Sequence, residues 1–372
     1  MQEITGRYTT AKIYSIKEDE GVNNQVQQVC DHPVFANCKI RIMPDCHKGK
    51  GCTIGFTSEM PKNGEIIPNI IGVDQSCGML AVKIKECKTL RDYYKLDKVI
   101  RQYVPAGTNG RKTISPLVAD NLKSEIKKIS NKILKEDESE DLLKIGSLGS
   151  GNHFVSLEKG KDGTYLIIHS GSRNFGKKLA VYFQGLAIEK HCYEEGELKN
   201  LSYIEGNDAA DYLYCAEICR QYASLNRKIM VQEILDNMGW KSEFEFETVH
   251  NYIGKDNIIR KGAISCNKGE TVLIPLNMAD GSIIAVGKGN EDWNNSAPHG
   301  AGRLLSRTQA KDTLLMSEYK QMMKGIHSTC ISTGTLDESP MAYKSGDEII
   351  EAIRPAAEII DKLKPVYNYK HA

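Results

Sequence analysis

The chain has 372 residues, with 49 Lys and Arg against 48 Asp and Glu, so a net charge of +1 draws in no polyanion and any nucleic-acid surface must be local. Hydrophobic residues at 40% and charged residues at 26% exclude wholesale disorder, collagen and coiled-coil arrays. Eleven cysteines without paired framework spacing, an opening MQEITGRYTT that lacks a basic, apolar leader, and no run near 18 apolar residues lead us to expect a cytoplasmic protein without membrane attachment.

In chain order, residues 38–43 (CKIRIM) read as a buried strand that runs into PDCHKGKGCTIG, a Gly-rich loop holding Asp45, Cys46 and His47. The apolar stretch 66–73 (IIPNIIGV) reads as a further strand and ends in Asp74-Gln75-Ser76-Cys77-Gly78, before LAVKIK at 80–85 resumes the strand pattern. Residues 122–136 place Ile126, Ile129, Ile133 and Leu134 on one helical face; the lysines elsewhere mark solvent. KIGSLGSGNHFVSLE enters a strand at His153, and TYLIIH at 164–169 is a strand that delivers His169 to the loop SGSRNFG.

Residues 207–236 form the longest helical pattern. Cys215 and Cys219 stand one turn apart in it, but they share an apolar stripe with Leu213, Ile218 and Tyr222, which predicts core packing rather than a metal site. There follow ETVHNYI with His250, RKGAIS, the strand pair TVLIP and SIIAVG, and the loop APHGAGRLLSR. A closing helix over 347–363 precedes the tail KPVYNYKHA. No repeat or low-complexity linker divides the chain. The expected fold is therefore α+β: one layered catalytic body over 1–372, with mixed sheets flanked by helices and polar Gly-rich loops at strand ends.

Those loops carry Asp74, Cys77, His153, His169, His250 and His299, so four of the nine histidines sit where side chains can converge, and a metal site is the better explanation. There is no CxxC pair and no HExxH helix, so the pattern is not a structural zinc module. Donor softness alone points to zinc before manganese. In Ala297-Pro298-His299-Gly300-Ala301-Gly302-Arg303, small neighbours let a phosphate approach an imidazole, with Arg303 and Arg307 spaced by one helical turn. Arg173, Arg260 and Lys261 offer further cationic clusters for RNA phosphates, whereas no GxxxxGK[ST] phosphate loop occurs.

Taken together and in this order, MPDCHKGKGCTIG, GVDQSCG, GSLGSGNHF, HSGSRNFG, HNYI, RKGA and HGAGRLLSR resemble the RtcB family of RNA ligases, over about residue 38 to the end. The resemblance implies GTP- and Mn²⁺-dependent joining of a 2′,3′-cyclic phosphate or 3′-phosphate RNA end to a 5′-hydroxyl end, in tRNA splicing or RNA repair. Carried over by motif, Asp74, Cys77, His153, His169 and His250 would hold two manganese ions, with Cys77 bridging, and His299 would accept GMP. The guanylate contacts would be Asn152, Asn277, Ser282, His299, Gly300, Gly302, Arg303, Tyr343 and Lys370, the last calling for an ordered tail. Implied partners are RNA with such ends, GTP and, optionally, an accessory activator.

Two departures stand out. Ser156 occupies the place of a usual glutamate that helps read guanine, and Pro275-Leu276-Asn277 replaces the usual Pro-Gly-Ser. Losing a carboxylate acceptor would relax the choice of GTP over ATP. Glu158 is an alternative acceptor, on the same strand face as Ser156 but two residues away. The rival readings are a metal-dependent cyclic phosphodiesterase or phosphatase on RNA ends, and a non-catalytic RNA-binding relative. The intact His299 setting favours ligation, since hydrolysis needs no imidazole nucleophile.

Overall fold

Short, nearly continuous apolar runs build the central element of the computed structural model, which describes residues 1–15, 19–85 and 90–371. It is a seven-stranded sheet in the order Thr271–Asn277, Gly281–Gly287, Ala357–Tyr369, Phe154–Gly160, Gly163–Ser170, Gly78–Ile84 and Ser242–Val249, every neighbour antiparallel. The period of two separates its faces. Leu80, Val82, Leu166 and Ile168 pack on Met230 and Ile234 of the helix Gly206–Met238, whereas Met79, Ala81 and Ile167 meet Leu273 and Leu363 on the other side. Both faces are thus covered, and the polar chemistry is pushed to the strand ends.

A second sheet runs Gln2–Thr5, Thr10–Ile13, Ile40–His47, Ile54–Glu59, Ile258–Lys261 and Tyr252–Ile253, with the second and third strands parallel. A two-stranded ladder, Ala263–Ser265 with Ser296–Pro298, delivers the chain to His299. The fold is a mixture of helices and sheets, as the α+β reading expected. Among the described residues no helix is long and apolar enough to cross a membrane.

The long helix does more than fill the core. Cys215 and Cys219 are buried in it beside Tyr212 and Tyr222, as the stripe predicted. Farther along, Asn226 accepts from the amides of Gly146 and Ser147 and donates to Ser170 Oγ and Gly171 O, tying two polar loops to one rigid element. Arg227, fully buried, donates to the carbonyls of Ser76 and Ser170 and pairs with Glu247 at 2.8 Å. Those carbonyls directly precede Cys77 and directly follow His169. Arg227→Ala should therefore cost about 2–4 kcal/mol, chiefly because it leaves the carbonyls of buried Ser76 and Ser170 without their partner, and it also removes the pair with the partly exposed Glu247; urea unfolding measures the loss. A change below about 1 kcal/mol would show that these contacts do not hold the loops.

Two sequence expectations need correction, and a third holds with shifted ends. Residues 66–73 are not a strand: Pro68 fits the first turn of a short helix, Pro68–Ile71, and only Ile66 pairs, with Ile204. The helix expected over 347–363 stops at Ala352, and Ala357–Tyr369 is instead the third strand of the seven-stranded sheet. Pro355 breaks the helix, and burial of Ala357, Asp361, Leu363, Pro365 and Tyr367 then follows the strand period. The helix expected at 122–136 is present as Asp120–Ile129, continued by a wider turn over Ser130–Leu134.

Candidate active site

Five donors meet where strands of the large sheet end. Cys77 leads into the strand Gly78–Ile84, His169 closes the neighbouring strand, His153 precedes Phe154–Gly160, and His250 follows Ser242–Val249. Ligand atoms of Cys77, His169 and His250 lie within 4.8 Å of one another, and so do those of Asp74, Cys77 and His153, which makes Cys77 common to both sets. Its sulfur is 3.3 Å from His153 Nε2 and 3.2 Å from His169 Nε2, and His153 Nε2 is 3.0 Å from Asp74 Oδ2.

The opposite ring nitrogens explain this aim. His153 Nδ1 donates to Leu148 O at 2.8 Å and His169 Nδ1 to Asn152 O at 3.1 Å, so each Nε2 faces the cluster with a lone pair available. The approach is tight: a Cβ on Gly171 would lie 2.2 Å from Asp74 Oδ1, so only glycine fits there.

Electrostatics suit a cation. Burial holds His169 and His250 well below the ordinary imidazole range, leaving them neutral at pH 7. Burial works to raise the Asp74 carboxyl, but His153, Cys77 and Arg173 outweigh it and keep the group ionised. Burial, reinforced by Asp74, pushes the Cys77 thiol well up, a cost that positive charge at the cluster would offset. Asp74 Oδ1 and His250 Nδ1 are buried without a hydrogen-bond partner. Carboxylate, thiol and imidazoles, with these orphaned atoms, fit a divalent ion.

His299 lies against this cluster, its ring centroid 4.7 Å from that of His250. Its Nδ1 is 2.7 Å from Oδ2 of the fully buried Asp45. The HGAG sequence permits this approach, since a Cβ on Gly302, at φ +76°, would fall 2.1 Å from Asp45 O.

A cationic wall adjoins. Glu338, nearly fully buried, receives Arg303 and Arg307 on Oε1 at 3.2 and 3.1 Å and Tyr343 and Lys370 on Oε2 at 2.5 and 3.2 Å. Burial opposes ionisation of Glu338, yet Lys370, Arg307, Tyr343 and Arg303 bring its carboxyl down to about 2. Arg303 and Arg307 are not a turn apart on a helix, because Ser306 caps a helix that starts at Arg307; their side chains converge on Glu338 instead.

One cavity of about 350 Å³ joins these parts. It is lined by Asp74, Cys77, Asn152, His169, His250, Asn277, Ser282, His299, Gly300, Gly302, Arg303, Tyr343 and Lys370; His153 sits behind it, in the donor cluster. Every residue expected for metal or guanylate thus comes to one place. Arg260 and Lys261 do not serve as an RNA surface: Arg260 is buried on Asp256 and Ser296, and Lys261 on the carbonyls of Lys50 and Asn69. Sequence reasoning gave no role to Asp45 or Glu338. Asp45 could have been flagged as the carboxylate in a Gly-rich strand exit, whereas nothing around Glu338 announces its four partners.

A family model described as tRNA-splicing ligase RtcB matches residues 25–371. The chain belongs to the RtcB family. The RNA-splicing ligase RtcB of Escherichia coli K12 is 33% identical over 372 aligned residues, covering 89% of this chain and 90% of that protein. The tRNA-splicing ligases RtcB of Nanoarchaeum equitans and Archaeoglobus fulgidus are each 26% identical, covering 96% of this chain and 93% and 92% of theirs. Membership of the RtcB family places the chain among RNA ligases.

Proposed function

We propose that this chain joins RNA ends bearing a 2′,3′-cyclic phosphate or 3′-phosphate to 5′-hydroxyl ends, using GTP and Mn²⁺, in cytoplasmic tRNA splicing or RNA repair, with residues 1–372 acting as one catalytic unit. The observation that carries the reading is His299, held by Asp45 at Nδ1 and set beside a five-donor cluster in one cavity. Asp74, Cys77, His153, His169 and His250 would hold the metal, with Cys77 shared between two ions. Divalent cations there would neutralise phosphoryl oxygens and favour in-line attack.

With Nδ1–H donated to Asp45, His299 Nε2 keeps its lone pair and attacks the α-phosphorus of GTP; an N–P bond forms, the α–β P–O bond breaks and pyrophosphate leaves. Asp45 stabilises the positive ring that results. Arg303, Arg307 and Lys370 neutralise phosphoryl oxygens, and Asn152, Asn277, Ser282, Tyr343 and the backbone of Gly300 and Gly302 position the guanylate. The RNA 3′-phosphate then attacks the His299 phosphoramidate, which frees the imidazole and places GMP on the RNA end. The 5′-hydroxyl oxygen attacks the 3′-phosphorus, closing the strand and releasing GMP. A cyclic end is first opened by hydrolysis.

The test is to incubate the isolated protein with Mn²⁺ and labelled GTP, then with oligonucleotides bearing 3′-phosphate and 5′-hydroxyl ends. Acid-labile, base-stable label on the protein and a joined product are expected. Removal of the end phosphate without label or joining would overturn ligation in favour of a phosphodiesterase or phosphatase. RNA binding without any chemistry would favour a scaffold, and joining only after addition of cell extract would reveal an activator.

A further inference from the structure

On the wall of the cavity, three buried polar atoms have no hydrogen-bond partner: Glu158 Oε2, Ser282 Oγ and Asn368 Oδ1. Each residue is at least nine-tenths buried. Leaving such atoms unpaired costs about 1–3 kcal/mol apiece, so they mark a place built for a polar ligand rather than a packed core.

The strands explain the grouping. Ser156 and Glu158 share a face of Phe154–Gly160, Asn368 pairs in register with Ser156 from the neighbouring strand, and Ser282 pairs with Leu363 one strand farther on. Ser156 Oγ donates to Glu158 Oε1 at 2.8 Å, drawing the carboxyl back along its strand and leaving Oε2 free. Burial pushes the Glu158 carboxyl up to about 7, against smaller pulls from Ser156 and the adjacent Ser282, so donors arriving from a ligand would bring it back to the ionised form.

We infer that Glu158, braced by Ser156, reads the base of the nucleotide and selects the edge of guanine, a specificity role that rests on the nucleotidyl-transfer reading above. Glu158 Oε2 and Asn368 Oδ1 are acceptors, and they complement an edge carrying adjacent N–H donors. Guanine supplies a ring N1–H beside a 2-amino group. Adenine would bring a ring-nitrogen lone pair against the carboxylate, leaving both unpaired.

The test compares GTP, ATP and inosine triphosphate, which lacks the 2-amino group, as donors of label to the full chain with Mn²⁺. The wild type should prefer GTP over inosine triphosphate and both over ATP. Glu158→Gln keeps the size but loses the second acceptor; it should reduce the GTP-to-ATP preference by about 10- to 100-fold and narrow the gap to inosine triphosphate. Ser156→Ala should shift both ratios the same way by less. Equilibrium binding of the three nucleotides reads base choice even where no label forms. A guanine preference in binding without label would count against nucleotidyl transfer and for this site, whereas equal affinities in the wild type, or an unchanged ratio in Glu158→Gln, would overturn the assignment.

Discussion

Cys77→Ala is expected to lower divalent-metal affinity by more than about 100-fold and to abolish metal-dependent chemistry. Cys77 is the donor common to both sets, so its loss removes a ligand from each of two sites at once. Even partners that only orient ligands cost about 10–100-fold when removed. The substitution leaves a small void in a buried position, so folding should survive, as circular dichroism would show. Elemental analysis after equilibrium dialysis measures the loss, and two equivalents held with wild-type affinity would refute the shared role. Cys77→Ser sharpens the choice of metal: an oxygen donor should weaken zinc more than manganese.

Asp45→Asn is expected to slow covalent nucleotide transfer by about 10²- to 10⁴-fold with little change in nucleotide affinity. The carboxylate can only accept from His299 Nδ1, which leaves Nε2 unprotonated. An amide can turn its N–H₂ towards Nδ1 and stabilise the tautomer whose Nε2 carries the proton and cannot attack. It also withdraws the negative charge that offsets the ring cation formed with the N–P bond. Since Asp45 Oδ1 has no hydrogen-bond partner, the isosteric change breaks no other contact. Single-turnover labelling gives the rate, and a loss below about threefold would remove Asp45 from the mechanism.

Which parts of this were legible in sequence follows from how local their causes are. Apolar runs ending in Gly-rich loops announce themselves within a dozen residues, which is why Asp74, Cys77, His153, His169, His250 and His299 could be gathered from sequence alone, although the run before Asp74 folds as a short helix. Asp45 acts on a residue 254 positions away and Glu338 on Lys370, 32 positions away; no window shows such pairs. The strand Ala357–Tyr369 was misread because its outward residues Glu358, Lys362 and Lys364 are good helix formers, so local propensity and tertiary demand conflict and the sheet wins. Arg260 and Lys261 looked like free cations because burial cannot be seen in a basic dipeptide. The serine at 156 looked like a lost acceptor; its hydroxyl instead holds a carboxylate delivered from 158.

The strand Ala357–Tyr369 has one more implication. It joins the hairpin of Thr271–Gly287 to that of Phe154–Ser170, and Lys370 follows it directly into the cavity. During translation, therefore, the two halves of the sheet wait unjoined until this segment clears the ribosomal exit tunnel.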